Sequence, residues 1–337
     1  MNRYLKTSLL AGLFLVLTGV FGFSFWLYSY STSPLTPSSP SRIVEVERGM
    51  TLKQVSRHLS DKRLIANPTG FVLFAYLQGK QNQIRAGEYE LSGRMPPKQI
   101  LETITSGQSV LHALTVPEGY RILEIAGLVE QAGLGSRERF VEETRNPELI
   151  RTVGAPAEDL EGYLFPETYK FPKNAGEKRI VETMVQTFQE KVNPAKAMRQ
   201  AEAMNLTFHE IITLASIIEK ETGAPSEREL ISSVFHNRLK RNMRLQTDPT
   251  VIYALADFDG NIRKKDLSVE SPYNTYLYPG LPPGPIASPG LESIKAALNP
   301  AETKYLYFVS RQDGTHKFST NLDDHNRAVV KYQLQGG

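Results

Sequence analysis

The chain contains no cysteine, so no disulfide can staple it, and thiolate nucleophiles and cysteine-based zinc or iron–sulfur sites are excluded. The six histidines are scattered and no H-E-x-x-H pair occurs; no metal is expected and no cofactor is assigned. No G-x-S-x-G, no serine followed three residues later by lysine, and no phosphate-loop or dinucleotide glycine pattern is present, which removes the usual serine-hydrolase and nucleotide-binding chemistries. One-signed charge is also missing. With 39 basic and 36 acidic residues, the formal charge is only +3, and no basic stripe offers a footprint for nucleic acid. The remaining composition, 40% apolar and 22% charged over 337 residues, is that of a folded protein long enough for roughly two domains.

Charge is wholly absent from Leu9 to Tyr28 (LLAGLFLVLTGVFGFSFWLY). About twenty residues at ~1.5 Å rise match a hydrocarbon core of about 30 Å, so this segment is expected to span a bilayer. Arg3 and Lys6 precede it, no charge follows until Arg42, and Trp26, Tyr28 and Tyr30 lie where an aromatic belt would sit. That asymmetry places the N-terminus in the cytoplasm and the body outside. A cleaved signal peptide fits less well, because the apolar run is too long and no A-x-A-like site follows. Ser29 to Ser41 (SYSTSPLTPSSPS) reads as an extended, semi-stiff spacer.

Beyond it, an alternating strand from Ile43, a helix after Thr51, a helix over Pro68 to Leu77 and a strand over Gly87 to Leu91 form a small β-α-α-β unit. A helix from Pro97 to Thr105 and a strand from Leu111 to Val116 lead into a larger region. Its helices are expected at Arg121–Gln131, Arg137–Thr144, Ile180–Lys191, Pro194–Met204, His209–Glu221 and Glu227–Arg241. Gly280 to Gly290 (GLPPGPIASPG) can be neither helix nor central strand. The fold class is therefore α+β.

The segment His209 to Gly223 (HEIITLASIIEKETG) is apolar nearly all round, as a buried helix would be. Glu219 follows Ala215 and Ile212 along one face, where low dielectric and the negative end of the helix dipole both disfavour its charge. A general acid at neutral pH needs that environment. The competing reading is a structural glutamate paired with a buried Arg or Lys. Glu221 lies about 200° further round the helix and is not expected to flank the same bond. Asp248, before Pro249 in LQTDPTVIY, is the remaining candidate for a second carboxylate, but its position reads rather as a helix N-cap. Tyr273–Tyr278 and His316–Asn326 are rich in aromatic, amide and hydroxyl groups. Those suit sugar rings, or merely a strand edge and its turn.

EGYLFPETY (Glu161–Tyr169), ASIIEKET (Ala215–Thr222), RLQTDPTVIY (Arg244–Tyr253), YNTY (Tyr273–Tyr276), GLPPGPIASPG and the terminal H-x-F-x-x-N-x-x-x-H-N occur in this order. Over nearly the whole chain they resemble the endolytic murein transglycosylase, or YceG-like, family. The resemblance implies a single-pass protein of the cell inner membrane. It divides the chain into a cytoplasmic tail (1–8), an anchor (9–28), a linker (29–42), a LysM-like module (43–113) and a periplasmic catalytic domain (114–337). The implied activity is that of a lyase cutting the MurNAc–GlcNAc β-1,4 bond within nascent glycan strands to leave 1,6-anhydroMurNAc ends, terminating elongation. Peptidoglycan strands, the cytoplasmic membrane and penicillin-binding synthases are the implied partners. The same resemblance implies Glu219 as catalytic acid and places Gln246, Thr247, Tyr273, Asn274, Asn321 and His325 along a glycan groove. Two other readings compete: a muramidase using Glu219 and Asp248, and a non-enzymatic wall-binding anchor.

Overall fold

The structure, a computed structural model, describes residues 3–36, 38–154 and 156–334. Met1 and Asn2 of the expected tail, Pro37 of the linker, and Ala155 and residues 335–337 of the expected catalytic domain lie outside the described residues. The chain divides into two compact units, Met1–His112 with Phe171–Asn174, and Ala113–Lys170 with Ala175–Gly337.

The first unit opens with helix α1 (Arg3–Thr32), of which Thr7–Thr32 is long and apolar enough to cross a membrane. It runs past Tyr28, and there Ser31 Oγ and Thr32 Oγ1 donate back to the Tyr28 carbonyl at 2.9 and 2.8 Å, taking up hydroxyls that composition assigned to a spacer. The stretch after it is also bonded to its own unit. Thr36 N–H donates to Gly93 O at 2.9 Å, while Ser92 Oγ and Arg94 Nε donate to Ser39 O at 2.8 and 3.0 Å. The expected spacer is thus a strap laid against the module.

That module has the β-α-α-β order read from the sequence. Strands β1 (Arg42–Val46) and β2 (Gly87–Leu91) pair antiparallel with Val44 opposite Tyr89. Helix α2 (Leu52–Asp61) starts at a Thr51–Gln54 capping box, and α3 (Pro68–Leu77) at Asn67, whose side chain accepts from Gly70 N–H. Val44, Val55, Leu59, Phe71, Phe74 and Tyr89 form one core with Ile100, Leu101 and Ile104 of α4 (Pro97–Ser106).

Strand β3 (Leu111–Thr115) pairs with β4 (Thr168–Pro172). The second unit is mainly helical, with α5 (Ile122–Gln131), α6 (Arg137–Glu143), α7 (Pro147–Val153), α8 (Glu177–Val192) and α9 (Pro194–Ala203) ahead of α10 (Phe208–Glu221). After it come α11 (Arg228–Lys240), α12 (Asp248–Ala254), α13 (Leu291–Leu298), the antiparallel hairpin β5 (Tyr307–Ser310) and β6 (His316–Ser319), and α14 (Leu322–Val329). A Thr207–Glu210 capping box opens α10, and every residue from Ile211 to Ile218 is buried. Helices α9, α11, α12 and α13 surround it.

The irregular run Gly280–Gly290 is pinned onto this core. His209 Nε2 donates to Pro283 O at 2.9 Å while its Nδ1 accepts from Tyr163 Oη at 2.8 Å. Ser216 Oγ accepts Ile286 N–H at 3.0 Å, and Ser288 exchanges backbone bonds of 2.8 Å with Gly119 and Tyr120. Gly162, at φ +83°, passes so close to Pro285 that a Cβ would lie 2.4 Å from the proline ring, so no larger residue fits.

Glu161, 7% exposed, lies beneath the start of α5 and accepts Ile122 N–H with both oxygens at 3.2 and 3.3 Å. Burial nevertheless pushes its carboxyl from 4.5 up to about 8. Above pH 4.5 the unfolded chain loses this proton while the folded chain keeps it. Stability from this group is therefore greatest below pH 4.5, declines until about 8, and then levels. Glu161→Gln, neutral throughout, is expected to lose less melting temperature than wild type between pH 5 and 8 in thermal unfolding. Equal slopes would contradict the assignment.

Candidate functional site

Because α10 is enclosed, only its last turn can present side chains, and that turn carries two carboxyl groups on opposing sides. Glu219, whose side chain is 8% exposed, lies 3.5 Å from Arg228 Nη2 through Oε1 and accepts Gly290 N–H at 2.9 Å through Oε2. Arg228 also lies 3.7 Å from Glu118 Oε2 and donates from Nε to Ser293 Oγ at 3.1 Å. Glu118 occupies the space over Gly290, where a Cβ would fall 1.9 Å from its Oε1. Burial and then the charge of Glu219 push the Glu118 carboxyl up. Glu219 was expected among small and apolar neighbours. It instead lies beside an arginine, the partly buried Arg228, as in the competing reading of a paired glutamate.

Glu221 points the other way, into a polar cleft of about 570 Å³. The Thr247 hydroxyl donates to its Oε1. Burial pushes the Glu221 carboxyl up, the Thr247 bond opposes this, and the charge of Asp248 adds to the rise. The result is a carboxyl that holds its proton beyond the usual carboxylate range while lining an open cleft. Around it, Arg238 is 8% exposed and fixed by Nε to Leu306 O at 2.7 Å and Nη1 to Leu245 O at 2.6 Å. Its guanidinium lies 5.2 Å from the Tyr307 ring centre, and Tyr307 stacks on His325 at 5.1 Å. Burial, reinforced by the Arg238 cation, pushes His325 down, favouring the neutral ring. His316 Nδ1 is 2.7 Å from Glu227 Oε2, and Tyr276 Oη donates to Asp248 Oδ1 at 2.6 Å.

Of the residues assigned to a groove from the sequence, Gln246 and His325 line this cleft, Gln246 from a left-handed backbone at φ +48°. Thr247 is buried behind Glu221. Asp248 lines the cleft but does not cap α12 with its side chain: the cap position is Thr247, no side-chain cap bond forms, and Tyr276 takes the Asp248 carboxylate instead. Tyr273 packs on Tyr253 at 4.8 Å between ring centres. Asn321 caps α14, accepting Asp324 N–H at 2.9 Å. Among the described residues, no cluster of three or more His, Asp or Glu converges as a metal site. From the sequence, Glu221 was set aside and Arg238 and Tyr307 were not singled out, whereas His316 opens the segment His316–Asn326 read as suited to sugar rings. The buried position of Arg238, a cation on the inner side of α11, carries no local motif, but the periodicity of α11 could have flagged it.

Asn274 is fully buried, with Nδ2 donating to Leu267 O and Val269 O at 3.1 and 2.8 Å and Oδ1 accepting Tyr276 N–H at 2.9 Å. All three bonds shape the turn that delivers Tyr276. Asn274→Ala is therefore expected to cost about 2–4 kcal/mol, roughly 1 kcal/mol per lost bond plus unsatisfied partners, in denaturant unfolding. Wild-type stability with impaired substrate binding would assign it to the groove instead.

The model of the YceG-like family matches residues 44–331. A Bacillus subtilis protein named endolytic murein transglycosylase is 32% identical over 91% of this chain and 89% of its own. A Streptococcus pneumoniae protein of the same name is 29% identical over 93% of this chain, which spans 62% of that longer relative. The solved structure of a YceG-like protein from Listeria monocytogenes superposes with a TM-score of 0.59 at 35% identity, covering 85% of this chain and 98% of that one. With the family model matched over most of the chain and a relative 32% identical over 89% of its own length, this chain belongs to the YceG-like family.

Proposed function

We propose that the chain is a lytic transglycosylase of peptidoglycan and that Glu221 is its acid and base. The observation that carries the assignment is the position of Glu221: a carboxyl whose protonated form is favoured by burial lines a polar cleft that also contains Gln246, Asp248, His316 and His325. The names of the relatives supply the substrate class.

In this reading Glu221 gives its proton to the oxygen linking N-acetylmuramic acid to the next sugar, and the bond from the anomeric carbon to that oxygen breaks. The O6 hydroxyl of the same muramoyl residue then attacks the anomeric carbon, and its proton passes to the Glu221 carboxylate. The products are a 1,6-anhydro end and a free hydroxyl on the leaving sugar, with no water consumed. One carboxyl suffices because the nucleophile is intramolecular, an arrangement worth up to about 7–11 kcal/mol where geometry is good. Aromatic faces such as Tyr307 suit the apolar side of a sugar ring, and Arg238 and His325 its hydroxyl rim.

By the same reading α1 crosses the cytoplasmic membrane with its N-terminus inside. The small unit is a LysM-like glycan-binding module, and cleavage within nascent strands ends their elongation beside penicillin-binding synthases. A second reading keeps Glu219 as the acid. Its favouring observation is the buried carboxylate bonded to Gly290 N–H with Glu118 beside it.

Digestion of glycan strands followed by mass spectrometry separates these readings. Wild type should leave ends lighter by one water than hydrolysis products. Glu221→Gln should lose about 10²–10⁴-fold in rate, and Glu219→Gln should retain most activity if it folds. The reverse pattern would move the acid to Glu219, and hydrated ends would make the protein a muramidase using Asp248. Thr247→Val removes the hydroxyl bond that favours the Glu221 carboxylate, so the alkaline limb of the kcat/KM profile should move to higher pH. An unmoved limb would disconnect Glu221 from the chemistry.

A further inference from the structure

Helix α3 is apolar all round yet only half buried. From Asn67 to Gly79 the sequence carries no charge. Gly70, Phe71, Phe74 and Ala75 face the core of the first unit, whereas Tyr76 and Leu77 are 59% and 57% exposed and Val72 and Leu73 are partly exposed beside them. At 100° per residue Leu73, Tyr76 and Leu77 form one continuous strip on the outer face, with Val72 at its edge packed against the core. A helix of this composition is normally covered on every side.

The anchor helix indicates what covers it. Gly70 lies against Trp26 and Tyr30, and a Cβ there would sit 3.4 Å from atoms of both rings. Tyr30 Oη also donates to Asn67 O at 2.7 Å. About twenty apolar residues from Leu9 use up the ~30 Å of a hydrocarbon core near Tyr28, which puts Trp26 and Tyr30 at the headgroup boundary. Helix α3 is packed directly on those two residues. Its own length is only about 15 Å, so no part of its outer strip lies far from that end of α1. Lys62, Arg63 and Lys80 flank it, where their stems could reach phosphates while the strip faces acyl chains.

We infer that α3 is a second membrane contact, with Leu73, Tyr76 and Leu77 seated in the phospholipid interface beside the anchor. This rests on α1 spanning the bilayer. The packing of α3 on the end of α1 then sets the pose of the small unit against the membrane surface, rather than leaving it on a free tether.

The native chain lacks cysteine, so single nitroxides can be placed at Leu15→Cys, Tyr76→Cys and Leu77→Cys in the full-length protein. The protein is reconstituted in phosphatidylethanolamine–phosphatidylglycerol vesicles, and collision with oxygen and with a water-soluble nickel chelate is compared. Because residues 76 and 77 are exposed, their substitution should not disturb the core, which unfolding of each variant checks. Shielding from nickel at 15, 76 and 77, with the oxygen-to-nickel ratio at 76 and 77 shifted towards that at 15, supports the contact. A shielded residue 15 with 76 and 77 open to nickel overturns it while leaving the anchor intact. Nickel access at residue 15 as well removes the anchor and the inference together.

Discussion

The burial of α10 is the constraint on which the rest of the second unit depends. Enclosed by four helices and by the pinned loop Gly280–Gly290, it has no free face from Ile211 to Ile218. Chemistry can therefore emerge only at its last turn. The helix ends there because Gly223 and Pro225 follow, so two carboxyl groups fall where the wall opens. The 200° between them sends one towards Arg228 and Gly290 and the other into a cleft. The geometry that disqualifies Glu221 as a partner of Glu219 makes the two alternatives to each other.

Most of the motif residues hold this arrangement in place rather than meeting a ligand. His209 and Ser216 spend their polar atoms on the loop, Asn274 folds its turn, and Thr247 both starts α12 and bonds Glu221. Gly162 is glycine because Pro285 occupies the space a side chain would need, while at Gly290 that space is filled by the Glu118 carboxyl. Arg238 stands between the two roles: its guanidinium bonds two backbone carbonyls, and the remaining face turns to Tyr307 and the cleft.

Periodicity made the long helices legible, with bounds within a few residues for α8, α10 and α11, because burial on one or all faces leaves a repeating trace. The β-α-α-β order was legible for the same reason. Helices α13 and α14 were not, since they follow directly on a proline-rich loop and on a motif rich in polar groups. Asn321 then read as a ligand-binding residue when it caps α14. The Ser/Thr/Pro stretch after the anchor read as a spacer because composition records solubility, not partners. Its hydroxyls and carbonyls are in fact bonded to Tyr28, Ser92 and Arg94. For the site, Gln246 and His325, which the resemblance put along one groove, line one cleft together with Glu221 at the end of α10. Which of its two glutamates faces that cleft depended on neighbours from separate segments, Thr247 26 residues from Glu221 and Gly290 71 from Glu219.

The fold thus comprises a long apolar helix docked on a small unit and a larger unit whose central helix delivers a single carboxyl to a cleft. The most direct test of that claim is a crystal structure of the full-length Glu221→Gln protein in detergent with a bound peptidoglycan tetrasaccharide. The account predicts a muramoyl glycosidic oxygen within hydrogen-bonding distance of the residue 221 amide, with sugar rings beside Tyr307 and His325. A glycosidic oxygen placed instead against Glu219 and Gly290, with the cleft unused, would contradict it.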